Sequence, residues 1–319
     1  MNPQLALVLK LVAVAGLAAV PLAGADFYTE LIAKTLILAI FAMSLDLLVG
    51  FTGLVSFGHA AYFGVAAYAA ALLSPKYEAA NLWLALPTAV GLAALVAGLF
   101  VLRTKGIYFI MVTLAFAQLF FFLFHDTALG GGSDGIYLNV KPSAEIFGFT
   151  PFELDNGQHL YWFILACLLG VYLFLTRILQ SPFGRVLVGI KSNEHRMQSL
   201  GYKTFRYKLA AFALAGGLGG LAGFLYAVVF GFVTPELLSW HQSGNVLLMV
   251  ILGGMGNLVG AMAGAFAFVA MQEVFGGWTK HWQLVMGGVI VAAVLFLPGG
   301  LAAIPGRIKR AINGGSAHD

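Results

Sequence analysis

The sequence predicts an all-α polytopic membrane protein with roughly eight to ten transmembrane helices, at least one of which is broken or re-entrant. Of its 319 residues, 61% are hydrophobic and only 9% are charged. A soluble domain usually carries about 25% charged residues, so the chain lacks the polar residues that a water-exposed surface requires. Its 40 glycines agree, because glycine is commoner in membrane helices than in soluble ones.

Apolar stretches long enough to cross a bilayer, about 20 residues each, recur along the whole chain. We predict a single transmembrane domain over residues 1–319. The first stretch is longer than the usual apolar core of a signal peptide, about 7–15 residues, so we interpret it as a span, with a cleaved signal as the alternative. The predicted spans are roughly 5–24, 31–50, 55–73, 82–101, 106–125, 159–176, 209–231, 244–272 and 283–298.

Charged residues predict how the spans are oriented. The segment 177–208 contains seven of the 17 Lys and Arg residues, and positive residues near spans stay on the cytoplasmic side. The segment 126–158 contains five acids and a single base, so we predict a periplasmic loop there. Strict alternation then places Arg103, Lys105 and the N-terminus in the cytoplasm.

The same alternation creates a conflict near the C-terminus. An unbroken span at 244–272 would leave the basic tail, residues 300–319, outside the cell, against the charge rule. The tail bases are Arg307, Lys309 and Arg310. Glycines and an asparagine favour a turn, so we predict a broken helix near Gly253–Asn257; the alternative is a short tail that breaks the charge rule. A similar interruption at Gly50–Gly58 suggests an inverted repeat around a central pathway, although no residue-by-residue repeat is visible.

The sequence carries no pattern typical of an enzyme. It has no paired carboxylates on one helix face, no His/Cys cluster with metal-ligand spacing and no phosphate-binding loop. The glycines at 130–135 indicate an exposed loop. The basic residues are not interleaved with stacking aromatics, so we expect no nucleic-acid partner. We predict a non-enzymatic protein without a metal site or a cofactor of its own.

Polar residues inside the predicted spans are candidates for a translocation pathway. Ionisable groups there are costly and usually face the bundle interior or a cavity. Asp46 and His59 therefore either line the route or serve structure, Asp46 bonded to a neighbouring helix and His59 at the cytoplasmic interface. Lys34, near a span end, is expected to snorkel to the headgroups. The remaining candidates, small polar residues that also hold helices together and glycines of the predicted break, are Thr52, Ser56, Asn245, Gly253 and Gly254.

Within the basic segment, residues 192–201 predict a short helix. Ser192 or Asn193 can cap its start, and Gly201 suits its end. Met197 and Leu200 are three residues apart, so we expect them on one face. Such a helix either rests on the membrane surface or docks in a groove of a cytoplasmic partner.

Four stretches of the sequence resemble the LivM-type permeases of branched-chain amino acid ABC transporters. The resemblance extends over roughly residues 35–300, and the stretches that carry it are 44–60, 113–117 with 131–136, 181–209, and 249–257. It implies a type II-like importer permease, multi-pass in the bacterial inner membrane, that carries branched-chain or related hydrophobic amino acids. It also implies a second related permease, two ATP-binding cassette subunits that bind the ATP, a periplasmic substrate-binding protein and surrounding membrane lipid as partners.

The resemblance further implies that the basic segment couples the permease to its ATPases. The residues that it assigns to this role are Arg185, Glu194, Arg196, Met197, Leu200 and Gly201. Gln198 and Ser199 replace the commoner Glu-Ala of the family, so a specific charge contact there is not implied. The alternatives are an ABC permease for amides or urea, a self-sufficient secondary transporter or channel, and a membrane scaffold.

Overall fold

A computed structural model of the chain describes residues 12–24, 26–74, 79–99, 106–145, 153–297 and 299–303, and the structural statements below concern these residues. Part of the first predicted span and most of the predicted tail at 300–319 lie outside them. So do the bases that entered the orientation argument at Arg103, Lys105, Arg307, Lys309 and Arg310.

The described residues are mostly helical. After an N-terminal helical segment, Val12–Leu22, the helices are α1 (Asp26–Asp46), α2 (His59–Leu73), α3 (Leu82–Leu99), α4 (Ile107–Asp126), α5 (Gly157–Gln180), α6 (Pro182–Ser192), α7 (Glu194–Ser199), α8 (Thr204–Phe230), α9 (Trp240–Gly253), α10 (Leu258–Trp278) and α11 (Trp282–Phe296). A two-stranded antiparallel sheet joins β1 (Ile136–Tyr137) to β2 (Phe232–Val233), with Ile136 opposite Val233.

Five of the described helical stretches are long and apolar enough to cross a membrane, and four shorter apolar helices accompany them. These stretches fall on the predicted spans, which confirms the prediction of an all-α, multi-pass membrane protein. In α1, which continues to Thr52, 89% of the most apolar window is buried, against 17% in α4. Helix α1 therefore lies in the core of the bundle, whereas most of the α4 surface is exposed to lipid or to a partner.

The second central helix is α8, and its glycines explain why. Gly216, Gly220 and Gly223 follow one another at helical spacing, so they form one small-residue face. A Cβ at Gly223 would collide with the carbonyl of Phe63 in α2, and one at Gly220 would collide with Ala93 in α3. The absence of side chains lets the three helices approach closely, as small residues do in membrane bundles.

The predicted broken helix is confirmed. α9 ends at Gly253, Gly254 has a φ of 109°, and α10 begins at Leu258. The Asn257 side chain caps α10 by accepting hydrogen bonds from the amides of Val259 at 3.1 Å and Gly260 at 3.2 Å. The chain thus reverses where a single span would have continued, and residues 299–303 pack back against this turn, as the contacts of Gly254 with residues 299 and 302 show.

A different interruption separates α1 from α2. The end of α1 continues as a π-helix, Leu47–Thr52, and Gly53 has a φ of 78°. Residues 53–58 then follow an irregular path before α2 begins at His59. Non-helical backbone at membrane depth is tolerated only where protein shields it. Ser56 and Gly58 are buried here, whereas Gly53 is exposed, so protein shields the part of this path that lies next to α2.

Candidate translocation and coupling site

The segment 177–208 defines one end of the bundle, which we call the basic end; the opposite end, which holds β1 and β2, is the acidic end. Lys191, near the end of α6, donates a hydrogen bond from Nζ to the carbonyl oxygen of Gly50 in the π-helix. Gly53 lies against the same lysine side chain. The basic segment therefore holds the interruption that follows α1.

Asp46 connects this interruption to the broken helix. Its Oδ1 accepts a hydrogen bond from the amide of Gly256 at 2.8 Å, across 210 residues of sequence. The carboxylate is fully buried, and within the described residues its Oδ2 has no hydrogen-bond partner. Of the two roles predicted for Asp46, the geometry matches the bond to a neighbouring helical element.

Gly50 makes that contact possible. A Cβ at this position would overlap both Asp46 Oδ1 and the amide nitrogen of Gly256. Any side chain would therefore push the carboxylate and the turn apart. Close packing also requires glycine at position 253, because a Cβ there would collide with the carbonyl oxygen of Gly260 in α10. The two glycine-rich interruptions thus meet as one cluster at the basic end.

His59 lies in the interior of the bundle, not at the cytoplasmic interface. The ring is fully buried, stacks on Phe41 at 5.2 Å, and has Nε2 2.8 Å from the Ser44 hydroxyl. Ser44 precedes the end of the π-helix by eight residues, about 12 Å of regular helix, which sets the depth of the ring. The Ser44 hydroxyl donates to the Phe41 carbonyl, so it must accept from Nε2–H, and Nδ1 is left as a buried acceptor.

Thr52 and Ser56 use their hydroxyls in local hydrogen bonds. Thr52 donates to the carbonyl of Leu47 at 2.9 Å, and Ser56 accepts from the amide of Gly58 at 3.2 Å. Both side chains are buried. They stabilise the unusual backbone of the interruption, and their predicted place in a translocation pathway stays a prediction.

Asn245 is the pathway candidate that lines an open space. A cavity of about 790 Å³ lies among α1, α9, α10 and α11, and α4, α8 and the segment 234–239 also line it. Asn245 and Met249 form part of its wall. Lys34 lines the same cavity. Eight residues separate it from the start of α1, about 12 Å of helix, so its side chain meets a polar space within the bundle, and its snorkelling to the headgroups stays a prediction.

The predicted helix at 192–201 is present as the shorter α7, Glu194–Ser199, and a separate helix, α6, precedes it. α6 ends at Ser192, and the Asn193 side chain caps α7 by accepting from the amide of Arg196 at 3.0 Å. Gly201 ends the segment with a φ of 88°. Asn193 is therefore the cap of the two that were predicted, and the glycine supplies the left-handed residue that stops a helix.

Glu194 ties α7 to the first turn of α8. Its Oε1 lies 2.6 Å from Lys208 Nζ and accepts a hydrogen bond from the Thr204 hydroxyl at 3.1 Å. Gln198 donates to the same hydroxyl at 3.1 Å. Glu194 is thus occupied within the chain, where it links the basic segment to the central helix.

The other predicted coupling residues divide into inward and outward groups. Met197 packs against Gly189 of α6, whereas Leu200 is 65% exposed, so the expectation that the two share one face is wrong. Leu200 sits at the cap position, where the helix has ended. The exposed members of the set are Arg185, Arg196, Leu200 and Gly201.

Comparison with known proteins identifies the family. The family model of the branched-chain amino acid transport system permease component matches residues 27–295. This chain belongs to that family. Its relatives include the high-affinity branched-chain amino acid transport permease LivM of Escherichia coli, 32% identical over 84% of this chain and 68% of that one, and LivM of Salmonella typhimurium, 31% identical over 85% and 69%.

A more distant relative of this permease is the autoinducer 2 import system permease LsrC of Klebsiella pneumoniae, 30% identical over 47% of this chain and 45% of that one. No solved structure gives a significant match. The assignment confirms the prediction of a LivM-type transport permease and favours it over a self-sufficient transporter or a scaffold. Within the described residues of the permease, no group of three or more His, Cys, Asp or Glu is placed to hold a metal ion.

Sequence reasoning missed the residues that join the predicted ones. Lys191, Lys208 and Gly256 complete the contacts of Gly50, Glu194 and Asp46, and none of the three was singled out. Lys191 and Lys208 counted only as charges in the basic segment. Their partners lie 141 and 14 residues away in the sequence, and only the fold brings Lys191 to Gly50.

Proposed function

We propose that this permease imports branched-chain amino acids across the bacterial inner membrane, driven by ATP that two separate subunits bind and hydrolyse. A second related permease would complete the pathway, and a periplasmic binding protein would deliver the amino acid to the acidic end. The family membership and the names of the relatives support this substrate class. The basic end would face the cytoplasm, as its charge predicts.

The observation that carries the proposal is a continuous series of contacts from the exposed basic segment into the core. Lys191 holds the π-helix at Gly50, and Glu194 holds α8 through Lys208. Asp46, four residues before Gly50, in turn holds the broken helix at Gly256. A displacement of α6 and α7 would therefore reach α1, α8 and the α9–α10 turn together.

Such a series suits alternating access. ATP can shift the conformational equilibrium only by binding one state more tightly than the other. We expect the closed ATPase pair to bind ATP more tightly, pull on α6 and α7, and open a route between the two permeases. The exposed Leu200 and the nearby exposed aromatic rings of Tyr202 and Phe205 provide apolar area for docking on a partner.

Purification from mild detergent tests the assembly. We expect a second permease and two ATPases to copurify with the tagged chain, and the cognate binding protein to prefer leucine, isoleucine or valine in an amino-acid panel. Recovery of the chain alone, with uptake by the purified chain in the absence of ATPases, would contradict the proposal and favour a self-sufficient transporter.

Leu200→Asp tests the docking role. The variant places a charge on the proposed docking surface, so we expect ATP hydrolysis to continue without uptake while the protein still inserts. Leu129→Asp is the matched control, because Leu129 is 60% exposed at the acidic end. Normal uptake by Leu200→Asp, or an equal loss in both variants, would contradict docking at this segment.

Labelling tests the orientation. The chain has one cysteine, Cys167, so Cys167→Ser provides a background for Ser192→Cys. We expect a membrane-impermeant thiol reagent to leave Ser192→Cys unlabelled in intact cells and to label it after permeabilisation. Ser133→Cys, exposed on the acidic side, should behave in the opposite way. Labelling of Ser192→Cys in intact cells would place the basic end outside.

A further inference from the structure

The cavity beside Asn245 carries opposite charges that the fold does not use. It has a volume of about 790 Å³, within the range of small-molecule sites, about 300–1,000 Å³. Lys34 and Glu236 line it. Within the part of the chain that the structure describes, neither side chain has an ion-pair partner, and Lys34 is half-buried on a membrane-spanning helix.

We infer that this cavity is a binding site on the permease itself for the zwitterionic amino acid. This inference rests on the proposed function, since it takes the substrate class from there. An unpaired lysine within a span is costly unless a partner compensates its charge. An α-amino acid brings a carboxylate for Lys34 and an ammonium group for Glu236, so one ligand satisfies both side chains.

The rest of the wall fits the same ligand. Gln242 and Asn245 are three residues apart on α9, and Met249 follows four residues later, so the three lie on one helix face. The two amides offer hydrogen-bond donors and acceptors beside the charged groups. Met249 and Phe268 are buried in the wall toward the middle of the bundle, where an aliphatic side chain would lie.

The position of the cavity agrees with the direction of transport. Glu236 lies three residues after β2 at the acidic end, whereas Met249 lies about one helical turn before the break at Gly253. The site therefore extends from the proposed periplasmic side toward the cluster around Gly50 and Gly256, which closes the basic end. A ligand released by the binding protein would meet the charges first and the apolar wall second.

Protection of a cysteine from labelling tests the inference without relying on uptake. In the Cys167→Ser background, Gln272→Cys places a reporter in the cavity wall, and Ser133→Cys is an exposed control outside it. The probe is L-leucine added to the purified complex with its second permease and ATPases. At a concentration several times its Kd, we expect leucine to slow maleimide labelling of the reporter about fivefold and to leave the control unchanged.

Charge variants and analogues decide which groups are recognised. Leucinamide lacks the carboxylate and 4-methylpentanoate lacks the ammonium group, so both should protect the reporter far less than leucine. Lys34→Met should weaken protection by leucine about tenfold or more, the effect of losing one charge-assisted hydrogen bond, whereas Lys34→Arg should retain most of it.

Two results would overturn the inference. The first is a labelling rate of the reporter that leucine leaves unchanged in an intact complex. The second is equal protection by leucine, leucinamide and 4-methylpentanoate, which would show that the site does not recognise the carboxylate or the ammonium group of the ligand. A failure of the proposed function would show separately, as a complex that does not form or as a cognate binding protein that does not bind leucine.

Discussion

At the basic end, backbone packs against backbone: Gly50 touches the turn at Gly256, and Gly253 touches Gly260. At the acidic half of the bundle, the helices separate around a cavity lined by Lys34, Glu236 and Asn245. α1 and the pair of α9 and α10 contribute to both regions. The same helices are therefore packed without space for a methyl group at one end and held apart at the other.

This difference separates two tasks. A contact without free space transmits a displacement, because packed surfaces have discrete arrangements and deform little. A cavity with unpaired charged side chains is suited to bind a ligand, because the ligand can supply the opposite charges. Substitutions at the basic end should therefore change stability and coupling, whereas those around the cavity should change recognition with little effect on stability.

The largest effect is expected for Gly50→Ala. The added methyl group would displace Asp46 Oδ1 and the Gly256 amide, so overpacking and the loss of a charged hydrogen bond add to about 3 kcal/mol or more of destabilisation. Thermal unfolding of the complex in detergent, followed by size-exclusion chromatography, measures the loss. Gly91→Ala on α3, where a Cβ meets open space, is the control and should be neutral or slightly stabilising.

Asp46 variants are expected to have the next largest effect. Asp46→Ala leaves the buried Gly256 amide without its acceptor and should cost about 1–3 kcal/mol. Asp46→Asn keeps a carbonyl oxygen as acceptor, so it should cost less and retain most uptake. Unfolding temperatures and ATP-driven uptake of both variants check this order. Abolished uptake in a stable Asp46→Asn protein would show that the charge itself acts in transport.

These glycine and aspartate contacts mark how far sequence reasoning reached. The length and hydropathy of the spans follow from local composition, so the helices and the break near Gly253 were predictable. The alternation of spans predicted that break, because basic residues near spans stay on the cytoplasmic side and an unbroken helix would have put the basic tail outside. The meeting of Gly50 with Gly256 was not predictable, since no local pattern records which two of many glycines touch.

His59 and Met197 show a second kind of limit. Counting residues along the spans placed His59 at the cytoplasmic interface. The chain turns back into the bundle after the π-helix, and a residue count does not predict such a turn. The spacing of Met197 and Leu200 assumed one continuous helix, whereas α7 ends before Leu200. In both cases the prediction failed where backbone departs from regular helix.

A smaller effect is expected where α7 joins α8. Glu194 and Lys208 are 18% and 14% exposed, so their ion pair is shielded more than a surface pair, and its coupling energy should be about 1 kcal/mol. Glu194→Gln, Lys208→Met and the double variant form a double-mutant cycle. The same cycle measured on uptake per ATP hydrolysed should show non-additivity. Additive effects in both readouts would show that the pair transmits nothing.

The smallest effect on stability is expected at the acidic end. Glu236 is exposed on the cavity wall, so Glu236→Gln should change the free energy of unfolding by less than about 0.5 kcal/mol. Removing the charge that would hold the ammonium group should nevertheless lower leucine uptake about tenfold while ATP hydrolysis and assembly persist. Uptake at several leucine concentrations, measured beside unfolding, checks both halves. A variant that loses stability and uptake together would show that the two ends of the permease are not divided in this way.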